Sequence, residues 1–190
     1  MFRIEKWSDK LELTEFYKTA AAKGFENNST QHRLVNCFDN EREKQVWILY
    51  YNDVAIGSVA AHSFDEMGVN SYRIAARTCV FTDHIGGAYG NALRTISVIT
   101  KQQNPTAQFL IPACIEWAPI NAKLYITSNE NLIGTQKRVH NIFGPAMERI
   151  GVMERVTNML YRGSIQTVWR VNPTKFNQEL SRYPRWVRDQ

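Results

Sequence analysis

The run KLYITSNEN (123–131), LIGTQKRVHNIFGPAMERI (132–150), Gly151, VMERVTNMLYRG (152–163) and SIQTVWRV (164–171) decides the fold. The first segment is short, apolar and rich in β-branched and aromatic residues, as strands are. Val139, Ile142, Phe143, Ala146, Met147 and Ile150 then recur at helical spacing, and Gly151 supplies a natural helix stop. Two strand-like runs follow at once. The chain therefore closes as strand, helix, strand, strand.

Upstream, Met1 to Trp7 reads as an edge strand and Asp9 as a helix N-cap. Leu11, Leu13, Phe16, Tyr17 and Ala20 keep helical spacing up to Gly24, and Leu34, Val35 and Phe38 suggest a second, shorter helix. VWILYY (46–51) and VAIGSVAAHSF (54–64) flank Asn52-Asp53, two residues that tolerate positive φ, which predicts a hairpin. Gly57 within it marks a bulge or a close backbone approach. A third strand runs from Tyr72 to Phe81, and the whole is a mixed α/β layer structure.

Composition narrows the class. The 190 residues are 44% hydrophobic and 22% charged, which suits one packed core and argues against disorder. No apolar run approaches the roughly 18 residues of a membrane span, and the N-terminus does not read as a leader, so the expectation is a cytoplasmic protein with no membrane partner. Cys37, Cys79 and Cys114 are odd in number and far apart, which excludes a disulfide framework or a zinc motif and predicts buried thiols. His32, His62, His84 and His140 are equally scattered, so no metal site is expected. The net charge of +5 favours acidic partners. Arg182, Arg185 and Arg188 around Trp186 form a basic-aromatic cluster suited to nucleic acid, although solvated surface with Trp186 on the core is the reading preferred.

In element order and length the chain resembles the GCN5-related N-acetyltransferases (GNAT). The resemblance implies an α/β (α+β) fold with a mixed, mostly antiparallel central sheet of about seven strands flanked by helices. It spans 1–172, leaving 173–190 as a basic C-terminal extension packed on the same domain. It implies acetyl-CoA or another acyl-CoA as cofactor, an amine acceptor, direct attack in a ternary complex and a possible homodimer. It also implies that Cys79, Val80 and Phe81, at the end of the third central strand, line the cofactor. The alternative is a catalytically silent module on the same sheet that binds nucleic acid or a protein partner.

The family's phosphate loop presents successive backbone N–H groups at a helix N-terminus. Two segments compete for it: IGGAYG (85–90) and QQNPTA (102–107). The second precedes a stripe of Ala107, Leu110, Ile111, Cys114 and Ala118, with Asn104 as N-cap and Pro105 at the first helical position. A helix ending near Ala118 reaches the strand at Lys123 within the usual connection of about 2–6 residues. That register assigns Gln102, Gln103, Asn104, Thr106 and Ala107 to cofactor.

Chemistry of this type needs positioning, oxyanion stabilisation and proton management. Glu116, in the apolar CIEWA, is the candidate base, although its helix turns it opposite Cys114 and favours a solvent-exposed role. Counting back from Gly151 places Met147 where the family carries a tyrosine acid, and His140 or Asn141 where it carries an asparagine. His140 is therefore the candidate acid and Asn141 a candidate cofactor contact. Asn131 faces cofactor or caps the helix. Pro145 removes the bond to the Asn141 carbonyl and predicts a kink. Cys114 lacks a neighbouring base and is not read as a nucleophile.

Overall fold

The computed structural model describes residues 2–7, 10–22, 41–81, 106–129 and 139–182. The expected second helix, the 82–105 connection with both Gln102–Asn104 and the 85–90 loop, Asn131 and the tail around Trp186 lie outside these residues.

One seven-stranded sheet organises the fold: β1 (Phe2–Trp7), β2 (Lys44–Tyr51), β3 (Val54–Ser63), β4 (Ser71–Val80), β5 (Lys123–Ser128), β6 (Met153–Tyr161) and β7 (Ser164–Val171). Their order is β1-β2-β3-β4-β5-β7-β6. Every pairing is antiparallel except β4 with β5. Turn chemistry sets the hairpins. Asn52 and Asp53 adopt φ of 47° and 64°, and Arg162 and Gly163 adopt 51° and 81°, the left-handed pairs that a two-residue hairpin loop requires. In the first hairpin Leu49 faces Gly57 and Tyr50 faces Ala55, so one residue, Ile56, is bulged out beside Gly57.

Helices cover the sheet where its strands are apolar. Helix α1 (Lys10–Ala22) contributes Leu13, Tyr17 and Ala20 to the main core. A π-helical turn, Thr106–Leu110, leads into α2 (Ile111–Trp117), and a second, Val139–Phe143, leads into α3 (Gly144–Arg149). Each widened turn abuts a proline, Pro112 or Pro145, at the start of the following helix. Proline has no N–H to offer the carbonyl four residues back, so the regular ladder cannot run through these positions. The kink expected at Pro145 takes this form. Of the predicted stripe, Ala107 and Leu110 of the π-helical turn and Ile111 and Cys114 of α2 are buried, with the Cys114 thiol 3.9 Å from the Ala60 carbonyl, whereas Ala118 is half-buried at the C-cap.

The C-terminal segment holds one element that the sequence reading treated only as an extension. Asn172 caps α4 (Pro173–Ser181), its side-chain oxygen accepting from the Lys175 N–H at 3.0 Å. Phe176 and Leu180 of α4 enter the same core as the sheet.

Candidate active site

The feature that defines a site is the parting of β4 and β5. They pair only through Ser71, Tyr72 and Arg73 with Lys123, Leu124 and Tyr125. Both strands continue past that point, β4 to Val80 and β5 to Ser128. No ladder joins the Ile74–Val80 edge to the Ile126–Ser128 edge, so the two strands part there.

The parting has a local cause. On its other side β4 faces β3, and Gly57 to Ser63 is matched by Val80 to Tyr72, with register shifts on both sides of Ala60. Six steps along β3 thus span eight along β4. A strand carrying bulges bends and twists away from its neighbour. Ala75 and Arg77 take φ of 53° and 52°, a conformation that costs a non-glycine residue about 1–2 kcal/mol. Side chains brace the distortion, with Thr78 Oγ1 donating to the Ala75 carbonyl at 2.7 Å and Ser58 Oγ to the Arg77 carbonyl at 3.4 Å. Strained backbone of this kind concentrates at functional sites.

A buried polar joint lies where the two strands begin to part. Arg73, the last paired residue of β4, donates from Nε to Thr127 Oγ1 on β5 at 3.0 Å and meets His62 Nε2 on β3 at 3.3 Å. His62 is fully enclosed, its Nδ1 lying 2.7 Å from the Ser63 carbonyl and 3.7 Å from Glu41. Burial, reinforced by the Arg73 charge, lowers the His62 pKa, so the ring is neutral and accepts from Arg73. Burial alone would raise the Glu41 pKa, but its contacts with His62 and with Arg162, at 2.6 Å, outweigh that and hold the carboxyl below its ordinary value. Tyr161 Oη and Gln166 Oε1 are buried nearby in the fold and have no hydrogen-bond partner among the described residues.

The wide end of the β5 edge carries His140. Ser128, the last residue of β5 and fully enclosed, lies 3.3 Å from His140 Nδ1 and accepts from the Trp169 indole N–H at 2.8 Å. Trp169 is itself fixed: Gly144 packs flat on its ring, Arg155 lies 4.8 Å from the ring centroid on β6, and none of its surface is exposed.

The sequence-derived residues divide accordingly. Cys79, Val80 and Phe81 are buried at the far end of β4, beyond its last pairing with β5. Asn141 is exposed and adjoins His140, Thr106 is half-buried at the start of the π-helical turn, and Ala107 is enclosed in the core. Glu116 is exposed on α2, turned away from the sheet against which Cys114 packs, so the structure does not bring it together with His140. Met147 is wholly buried and packs in the main core. Burial pushes the Cys114 thiol up to about 12, in keeping with an inert side chain. Among the described residues no cluster of potential metal ligands occurs, and no helix is long and apolar enough to cross a membrane.

This architecture, with its parted fourth and fifth strands, is the GNAT fold. Solved structures share the fold over most of their length. The acyl-CoA N-acyltransferase from Pseudomonas aeruginosa matches 90% of this chain and 99% of its own at a TM-score of 0.51 and 10% identity. The aminoglycoside acetyltransferase AAC(6')-Ib, solved with coenzyme A and kanamycin, matches 94% of this chain and 98% of its own at a TM-score of 0.55 and 10% identity. An acetyltransferase from Streptococcus agalactiae matches 90% and 97% at a TM-score of 0.50 and 13% identity. No protein-family model matches the chain, and no curated protein sequence does so significantly.

Proposed function

We propose that the protein is an acyl-CoA-dependent N-acyltransferase that uses acetyl-CoA or another acyl-CoA, in keeping with a divergent GNAT member. The observation that carries this reading is the parting of β4 from β5, in a fold shared with structures solved with coenzyme A. The donor set fits such a ligand. Beyond Arg73 the β4 edge has no strand partner in β5, and an amide-rich pantetheine arm would pair along that edge as an added strand does.

In this reading an amine attacks the thioester carbonyl directly, and the protein's contribution is alignment plus stabilisation of developing charge. His140, at the β5 wall, hydrogen-bonds the leaving sulfur, and Asn141 beside it contacts the arm. Thr106, Ala107 and residues 102–104 belong to the phosphate end, and Cys79, Val80 and Phe81 to the β4 wall. The acceptor amine approaches over the polar layer containing Tyr161 and Gln166, whose buried oxygens an N–H or a water can satisfy. Glu116 is too exposed to be assigned the base role here, and water serves instead.

Thermal unfolding with acetyl-CoA tests the proposal. At a ligand concentration of about 100 Kd, binding stabilises by ~2.7 kcal/mol, an upward Tm shift of roughly 5–10 °C for a chain of this size. Absence of a shift with any acyl-CoA at saturation would defeat it. Salt-dependent binding to mixed-sequence nucleic acid without CoA binding would favour a silent binding module instead.

A further inference from the structure

The outer edge of β6 lacks the charges that guard the opposite edge of the sheet. Independently of the acyl-CoA reading, we propose that β6 pairs antiparallel with β6 of a second copy, about a two-fold axis through Asn158, and so joins two sheets into one.

The sheet has two edges, β1 and β6. A free edge invites a further strand, and proteins blunt such edges with charged side chains, prolines or bulges. β1 carries Arg3, Glu5 and Lys6 within its span Phe2–Trp7. In β6 the stretch VTNML (156–160) holds neither a charge nor a proline. Leu160 is 69% exposed, and Ile165, facing it on β7, is 62% exposed. This apolar pair at the rim of the sheet is left to water in a single chain.

The backbone of the stretch also points outward. Tyr161 and Ser164 flank the two-residue turn and therefore exchange hydrogen bonds, and bonded pairs alternate along an antiparallel ladder. Met159 and Thr157 are then turned to β7 as well, whereas Leu160 and Asn158 direct N–H and C=O away from the sheet. The Asn158 carbonyl accepts from the Thr157 hydroxyl at 3.2 Å and keeps a second lone pair.

The free stretch is bounded at both ends. At one, the bulge at Val156 interrupts the ladder and Glu148 Oε1 accepts the Arg155 N–H at 3.3 Å. At the other, the chain turns at Arg162-Gly163. Asn158 is the midpoint, so the stretch is its own antiparallel complement. Two-fold pairing sets Asn158 against Asn158 of the partner subunit and Leu160 against Val156 of the partner subunit. No like charges are opposed, and Glu154 comes level with Arg162 of the partner subunit. Pairing onto β1 would add copies head to tail without closing, and the charges of β1 oppose it.

Sedimentation velocity of the full chain over a concentration series reads the association. Wild type is expected to pass from 22.0 kDa to twice that mass and to stop there. Leu160→Lys, at an exposed position, should raise the dimer Kd at least ~10-fold with far-UV circular dichroism unchanged. Cys79 and Cys114 are buried, so a Cys37→Ser background suits cysteine cross-linking. In it Asn158→Cys should form an intersubunit disulfide under mild oxidation, because directly opposed bonded residues lie ~5.5 Å apart at Cα, within disulfide reach. Val156→Cys should not, since that register holds the two copies of residue 156 roughly 13 Å or more apart. Should Asn158→Cys fail to fold, the wild-type and Leu160→Lys series decide. Protein that stays monomeric at every concentration up to about 1 mM overturns the proposal. So does a dimer that Leu160→Lys leaves intact, cross-linking at Val156→Cys in place of Asn158→Cys, or assembly that grows past two copies.

Discussion

Replacing Gly144 by alanine should destabilise the protein, against the usual direction for a helix. Alanine exceeds glycine in helix preference by about 1 kcal/mol, so an unconstrained Gly→Ala change in the first turn of α3 would stabilise. Here the added Cβ would stand 2.7 Å from Cε2 and 2.8 Å from Cη2 of Trp169. Ordinary carbon contacts begin near ~3.5 Å, so the ring or the helix has to move by close to ~1 Å. Trp169 has no exposed surface into which to retreat, and its N–H bond to Ser128 ties down the other edge. Overpacking of this type costs about 1–3 kcal/mol, and losing the indole bond adds ~1 kcal/mol. Set against the helix gain, the net is a destabilisation of about 1–3 kcal/mol, or a Tm lower by roughly 2–12 °C. Thermal and urea denaturation measure it, and near-UV circular dichroism reports displacement of the indole. The double variant Gly144→Ala with Trp169→Phe should lose less than the two single losses combined, because the smaller ring vacates the contested space. A Gly144→Ala protein as stable as wild type would refute the packing argument.

Two further outcomes follow from the polar joint and from α4. Burial sets the folded pKa of His62 below its ordinary 6.5, so the stability it contributes is whole above that value and is lost as pH falls through the folded pKa. Glu41, also lowered, adds a second loss as pH falls below 4.5, so the urea midpoint should decline in two stages and His62→Gln should remove the first. A wild-type midpoint that stays flat from about pH 7 to pH 5 would exclude the buried neutral histidine. Asn172→Ala removes the cap of α4 and should cost about 1 kcal/mol, read as a Tm lower by roughly 2–4 °C; an unchanged Tm would show that Phe176 and Leu180 alone anchor that helix.

What the sequence made legible was local. Asn52-Asp53 announces its hairpin because positive φ is a property of those two residues. The stripe on α2 is readable because burial there repeats with the helix. The start of α4 is equally local, since Asn172-Pro173 is an N-cap followed by a first-turn proline. The site itself was less accessible. His140 was reachable by counting back from Gly151, yet its partner Ser128 and that residue's partner Trp169 are 41 positions apart, and no periodicity connects them. Arg73 and Thr127 are separated by 54 positions, and nothing local in either strand marks them as partners. The bulges in β4 carry no glycine or proline to advertise them, because alanine and arginine occupy the strained positions and tertiary packing imposes the conformation.

Those two surplus residues in β4 carry a further implication. A hinged opening can be shut by rotating a few bonds, but this one is written into contour length: β4 has more chain than β3 can match in a straight ladder. Straightening its ladder with β3 would require deleting residues, not rearranging them. The bend is therefore built into the length of β4, and a ligand pairing along it would meet a strand that already turns from β5.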